Sequence, residues 1–182
     1  IKRMPIDTYR VQGRGGRGII SGRQKADDSA AQLFVATTHH YILFFTDQGR
    51  VYRLRAYEIP QASRTAMGTA IVNLIDIQPG ESITASVPVQ DLDGDGFLLM
   101  VTQNGEIKRT PAAEFRNIRS AGIRAFDLEE GDTLRWVQLT TGEDEVVIVT
   151  RNGMSIRFPE TEVPTRSREA GGVRAIYLEN GD

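Results

Sequence analysis

Apolar residues in this chain gather in short runs separated by polar breaks marked with glycine. Residues 33–45 (LFVATTHHYILFF), 97–102 (FLLMVT) and 145–150 (EVVIVT) are rich in β-branched and aromatic side chains, which suit a pleated, half-buried surface. Gln48-Gly49, Asn104-Gly105 and Asn152-Gly153 supply hairpin signals beside these runs. Helical periodicity is weak throughout, so the pattern predicts an all-β fold.

The runs repeat. FFTDQGRVYRLRAYEIP, LMVTQNGEIKRTPAAEFR and VIVTRNGMSIRFPETEVP share a strand, a glycine turn, a basic strand and a Glu-apolar ending. Gly49, Gly105 and Gly153 align, as do Glu58, Glu114 and Glu162, and a later glycine follows at Gly68, Gly122 and Gly172. Each unit then reaches a turn, at Pro79-Gly80-Glu81, Glu130-Gly131-Asp132 or Asn180-Gly181-Asp182. The N-terminal IKRMPIDTYRVQGRGGRG matches IKRTPAAEFRNIRSAGIR, pairing Ile1 with Ile107 and Tyr9 with Phe115, so the chain is expected to begin inside a repeat. Approximate repeats run 1–32, 33–89, 90–144 and 145–182, the first and last partial. Recurrence of short strands at this spacing predicts a propeller-like array of four-stranded blades, about three of them, with each blade burying its faces on its neighbours. A β-sandwich made by Greek-key duplication is the alternative.

The formal net charge is −2, which by itself argues against a nucleic-acid partner. Its distribution argues otherwise. Residues 1–25 carry Lys2, Arg3, Arg10, Arg14, Arg17, Arg23 and Lys25 against Asp7 alone, whereas residues 125–150 are strongly acidic. Arg50, Arg53 and Arg55 share a repeat phase with Lys108 and Arg109, with Arg157, and with Lys2 and Arg3; Arg116 and Arg119 extend the basic stretch of the third repeat. Equivalent positions of a radial array face one direction, so this phase predicts a curved basic track. The alternative is that these cations only guard exposed strand edges.

The sharpest local feature is Gln12-Gly13-Arg14-Gly15-Gly16-Arg17-Gly18. Glycines let backbone approach a phosphate closely and let amides converge on an oxyanion, while each guanidinium forks onto phosphate oxygens. Such contacts position a duplex without reading its sequence. A flexible linker, or an Arg-Gly-rich RNA-binding tail, would also use this composition.

This heptad resembles the glycine-arginine box of the bacterial DNA gyrase A C-terminal domain, written Gln-Arg-Arg-Gly-Gly-Arg-Gly in that family. Six of seven positions match, and the departure is Gly13. GRVYRLRAYEIPQASRTAMGTAIVNLI, AEFRNIRSAG and LTTGEDEVVIVTRNG are also similar to blades of that domain, so the likeness spans essentially the whole chain. The resemblance implies a β-pinwheel whose blades exchange strands, and whose basic rim wraps duplex DNA to direct negative supercoiling. Gln12, Arg14 and Arg17 carry over as DNA-binding residues, while the contact at Gly13 is in doubt. It further implies a cytoplasmic, chromosome-associated holoenzyme that includes the gyrase B subunit. The ATP and Mg²⁺ sites and the cleavage tyrosine of that holoenzyme lie outside these residues. The related A-type subunit of topoisomerase IV, which decatenates, is the second reading, and a protein-binding propeller scaffold is the third.

Other chemistry finds little support. Cysteine is absent, so a disulfide framework and a thiolate metal site are excluded. Asp91-Leu92-Asp93-Gly94-Asp95-Gly96 begins like a calcium loop, but its twelfth position is Thr102 instead of Glu. His39 and His40 are adjacent, so on a strand they point to opposite faces. No catalytic constellation forms around Tyr9, Tyr41, Tyr52, Tyr57 or Tyr177, which are expected to be strand and core residues.

Overall fold

A computed structural model describes residues 1–20, 22, 30–179 and 182. Arg23 and Lys25 of the basic N-terminus, and Asn180-Gly181 of the last turn, lie outside the described residues. The regular elements are β1 (Tyr41–Thr46), β2 (Arg50–Arg55), β3 (Ile83–Val89), β4 (Phe97–Thr102), β5 (Glu106–Pro111), β6 (Ile123–Arg124), β7 (Leu134–Thr140), β8 (Glu145–Val149), β9 (Ser155–Pro159) and β10 (Val173–Arg174), with short 3-10 turns between them. One sheet has the order β3-β1-β2-β6, a second has β10-β5-β4-β7, and β8-β9 form a hairpin. All the pairings between these strands are antiparallel.

Each four-stranded blade takes its last strand from the following repeat. β6 pairs with β2 through Arg50↔Arg124 and Val51↔Ile123, and β10 pairs with β5 through Val173↔Ile107. The N-terminus repeats this exchange, since Ile1 and Thr69 trade N–H···O bonds of 2.7 and 2.8 Å. This strand exchange is the pinwheel feature that the family resemblance implies.

The hairpins are built by one recurring device. Thr46, Thr102 and Thr150 each accept at the backbone carbonyl from the turn glycine, Gly49, Gly105 or Gly153. Each threonine hydroxyl also accepts from the amide after that glycine. The glycines have φ of 72°, 84° and 87°, a region costly for other residues. After the second strand of each hairpin a 3-10 turn bends the chain and delivers Ile59, Phe115 or Val163 into the interior.

Alternation on the strands divides the core into layers. Leu43, Phe45, Val51, Val87 and Val89 of the first blade meet Leu98, Met100, Leu134 and Val137 of the second. On the opposite face Ile42, Phe44 and Tyr52 pack under Ile59 and Ile75. The second blade turns Leu99 and Ile107 toward Val146 and Val163 of the last repeat. Each fully buried Leu, Ile or Phe contributes about 1.5–3 kcal/mol, so blade-to-blade contact is the main source of stability.

Candidate nucleic-acid interface

The glycine-arginine segment leaves the first 3-10 turn (Ile6–Thr8) and is exposed from residue 10 through residue 20. Gly16 N–H donates to Gly13 O at 3.0 Å, and Gly15 has φ 82°. A positive φ at the third position of a four-residue turn is the signature of type II, which places Arg14 at the second corner. Gly16 is packed closely, because a Cβ there would lie 2.9 Å from Gln12 Oε1 and 3.1 Å from Gly13 O. Gly13 and Gly18 face open space. Arg64 holds the far end of the segment by donating from Nη1 to Ile20 O at 2.5 Å.

Arg53, Arg109 and Arg157 occupy one strand register, opposite Leu43, Leu99 and Val147. In two of these units the guanidinium lies over an aromatic ring at the start of the preceding strand. Arg53 and Arg55 sit 4.6 and 3.5 Å from the Tyr41 ring centroid, and Arg109 sits 4.9 Å from that of Phe97. In the last unit Glu145 stands where the ring would be and pairs with Arg157 at 3.0 Å. Stacking of this kind contributes about 0.5–2 kcal/mol and fixes the plane of the guanidinium.

Two clefts open between repeats. The first is lined by Tyr41, Arg53, Arg55, Glu58, Ile118 and Arg119. Arg53 donates to Arg116 O, and Arg55 donates to His39 O at 2.6 Å and to the Tyr41 hydroxyl. Arg119 is exposed and unpaired among the described residues. The second cleft holds Arg109, Arg116, Phe97, Asp93 and Glu143. Arg116 pairs there with Asp93, and Arg109 reaches Gly142 O at 3.4 Å.

The other expected rim residues are placed differently. Lys108 has no accessible surface, and its ammonium donates to three backbone carbonyls. A group so enclosed presents nothing to a phosphate. Lys2 makes the same kind of contacts with the carbonyls of Ser63, Arg64 and Ala66. Arg3 donates to Ile59 O at 3.1 Å, and Arg50 lies 3.3 Å from Glu81 and donates to Ala121 O. Glu81 also accepts from the Tyr52 hydroxyl at 2.7 Å. Tyr52 is itself raised above its usual pKa, by burial first and by the Glu81 carboxylate second. Sequence phase therefore groups two kinds of cation that strand alternation separates: arginines at the clefts and lysines beneath a loop.

The acidic loop folds on itself, with Asp93 N–H donating to Asp91 Oδ1 at 2.7 Å. Among the described residues, no three His, Asp or Glu side chains gather as a metal-ligand set. No described helix is long and apolar enough to cross a membrane.

Comparison with known proteins assigns the architecture. The profile described as "DNA gyrase C-terminal domain, beta-propeller" matches residues 1–37, 40–90, 96–141 and 144–182. The chain belongs to this DNA gyrase C-terminal domain family. The DNA gyrase A subunit of Halalkalibacterium halodurans is 48% identical over 176 residues, covering 97% of this chain and 21% of the relative. The corresponding protein of Haloquadratum walsbyi is 46% identical over 186 residues, covering 100% of this chain and 22% of the relative. This chain thus spans about a fifth of the length of these curated relatives. Among solved structures, a C-terminal domain of DNA topoisomerase IV shares 31% identity and a TM-score of 0.71 over 79% of this chain and 45% of that one. A DNA gyrase A C-terminal domain shares the fold with a TM-score of 0.72 over 99% of this chain and 58% of that one, at 23% identity. The overall architecture is therefore shared across the family.

Proposed function

We propose that this chain binds duplex DNA through its phosphates, without reading sequence, and bends it along the blade array. In this reading it is the C-terminal region of a gyrase A subunit, where it directs negative supercoiling by the holoenzyme. Strand cleavage, ATP hydrolysis and Mg²⁺ binding belong to other regions and to the gyrase B subunit, and the setting is the cytoplasm, at the chromosome. The observation that carries the proposal is the fully exposed glycine turn with Arg14 at its corner and Arg17 just beyond. Open backbone amides and two guanidinium groups without partners among the described residues suit a phosphate ester.

The clefts add to this turn in unequal degree. Arg53, Arg55 and Arg119 converge on one of them, with Tyr41 as a rigid backing. Among the described residues, the side chains of Arg116, in the second cleft, and Arg157, outside both clefts, are held only by exposed ion pairs with Asp93 and Glu145. Such pairs contribute about 0–1 kcal/mol, so a phosphate can replace the carboxylate. Arg3 and Arg50 are engaged with protein carbonyls and Glu81 and serve as supports, while Arg109, held by a long contact to Gly142 O and by the Phe97 ring, stays available in the second cleft.

Replacing Arg14 and Arg17 together by Ala should lower duplex affinity about tenfold per arginine. The slope of log affinity against log salt should fall by about 2. Unchanged affinity would remove the glycine-arginine turn from the mechanism. The 31% identity to a topoisomerase IV domain supports a second reading, decatenation by that enzyme's A-type subunit. Loss of supercoiling with intact decatenation in an Arg14/Arg17 variant of the full enzyme would favour gyrase.

A further inference from the structure

Lys108 and Lys2 make the same unusual contact in two different repeats. Lys108 Nζ donates to Ser167 O, Arg168 O and Ala170 O at 3.1, 3.0 and 2.7 Å. Lys2 Nζ donates to Ser63 O, Arg64 O and Ala66 O at 3.3, 2.7 and 2.9 Å. Both acceptor loops read Ser-Arg-X-Ala, and both close the same turn, Ala66 N–H to Ser63 O and Ala170 N–H to Ser167 O, each at 3.1 Å. The arginine inside each turn donates from Nη1 to a carbonyl 44 residues earlier, Arg64 to Ile20 O and Arg168 to Arg124 O. The glycine-arginine segment also places an arginine, Arg14, second in a turn closed by an i to i+3 bond, Gly16 N–H to Gly13 O, although that turn is of type II and the Ser-Arg-X-Ala turns, with no positive φ at Thr65 or Glu169, are not.

An ammonium without solvent is costly, and an apolar side chain of similar length would fill the same space. The charge has a geometric use. An ammonium has three donors, and the three carbonyls of Lys108 use all of them. The Phe126 ring lies 4.8 Å from the nitrogen and closes the remaining side. The middle repeat shows what happens without it. Tyr52 stands at the lysine position there, and the loop from Glu114 to Gly122 is two residues shorter than those from Glu58 to Gly68 and from Glu162 to Gly172. A Cβ on Gly122 would lie 2.7 Å from the Tyr52 ring, so the short loop rests directly on the aromatic face. Lysine and the longer arginine loop therefore occur together.

We propose that Lys2 and Lys108 are positioning residues of the nucleic-acid face. Each threads its ammonium under the next repeat's loop and fixes the direction in which Arg64 or Arg168 meets a phosphate. Arg64 and Arg168 then join Arg14 as successive contacts along the array; each grips one carbonyl, Arg168 Nη2 also pairs at 2.9 Å with Glu169, whose exposed carboxylate a phosphate can replace, and further guanidinium N–H groups are left over on both. This inference rests on the DNA-binding reading given above.

The test is a double-mutant cycle on duplex binding with Lys108→Met, Arg168→Ala and the pair combined. The expected result is an affinity loss of about tenfold for either single variant. The salt slope should fall by about 1 in each, and the double variant should show no further loss. Hydrogen exchange at the Arg168 and Ala170 amides should speed up in Lys108→Met while that of β4 is unchanged. Full affinity in Lys108→Met beside a loss in Arg168→Ala would overturn the positioning role and leave DNA binding intact, as would additive losses. Salt-independent binding by the unsubstituted chain would overturn the DNA reading first. If Lys108→Met does not fold, the same cycle with Lys2→Met and Arg64→Ala, at the less buried site, decides the matter by the same outcomes.

Discussion

At the scale of single residues, Lys108 separates what the sequence can tell from what it cannot. Its neighbour Arg109 and its basic repeat phase place it on the rim, yet strand alternation puts it on the face of Tyr52 and Ile156, away from Arg53 and Arg157. A signal was present: Ser63-Arg64-Thr65-Ala66 recurs as Ser167-Arg168-Glu169-Ala170, though only the folded chain shows an ammonium beneath each loop. Burial draws the Lys108 ammonium from 10.5 down to about 8, against the pull of Glu114 and Asp127 and with a push from Arg166 and Arg168. The unfolded chain keeps this proton up to about 10.5, so between about 8 and 10.5 it binds more protons than the folded chain. Stability from this group is then present above 10.5 and lost as pH falls to about 8, with a slope of up to about 1.4 kcal/mol per pH unit. Urea unfolding from pH 7.5 to 10 should show the natural chain gaining on Lys108→Met as pH rises. A pH-independent difference would contradict the burial of the charge.

At the scale of elements, the hairpins were legible and the exchanged strands were not. Turn glycines and β-branched runs mark β1-β2, β4-β5 and β8-β9 because both strands and their turn are contiguous in the chain. β6 and β10 are two residues each, too short for any periodicity, and they are held by pairing with the preceding repeat. Gly49 and Gly105 carry that docking. Gly105 O accepts from Ala175 N–H at 2.9 Å, and a Cβ on Gly105 would lie 2.8 Å from Ile176 O. Gly153 has the same backbone conformation with nothing within 4 Å. Gly153→Ala should cost about 1 kcal/mol, from backbone strain alone. Gly105→Ala should cost at least about 2 kcal/mol, because the next repeat must also move. Denaturant midpoints measure both, and equal losses would show that the exchanged strand does not rest on the turn.

At the scale of the whole molecule, a net charge of −2 is compatible with the proposed DNA-binding face because the charges are sorted by position. Acidic residues fall largely at the turns and in the Asp91–Asp95 loop, and three of them, Asp93, Glu81 and Glu145, pair with Arg116 of the second cleft, with the supporting Arg50 and with Arg157. The sequence conveys this sorting through its repeat phase. It does not convey which arginines are already engaged, since that depends on carbonyls and carboxylates from other repeats. The central claim is that the remaining cations form one phosphate-binding track. Its most direct test is titration of a duplex of roughly 40 base pairs at salt concentrations from 50 to 200 mM. A track that neutralises 6 or more phosphates gives a steep, sequence-independent fall in affinity of about 10³-fold or more. Weak binding with a flat slope would contradict it, and the exposed glycine-arginine turn would then need another partner.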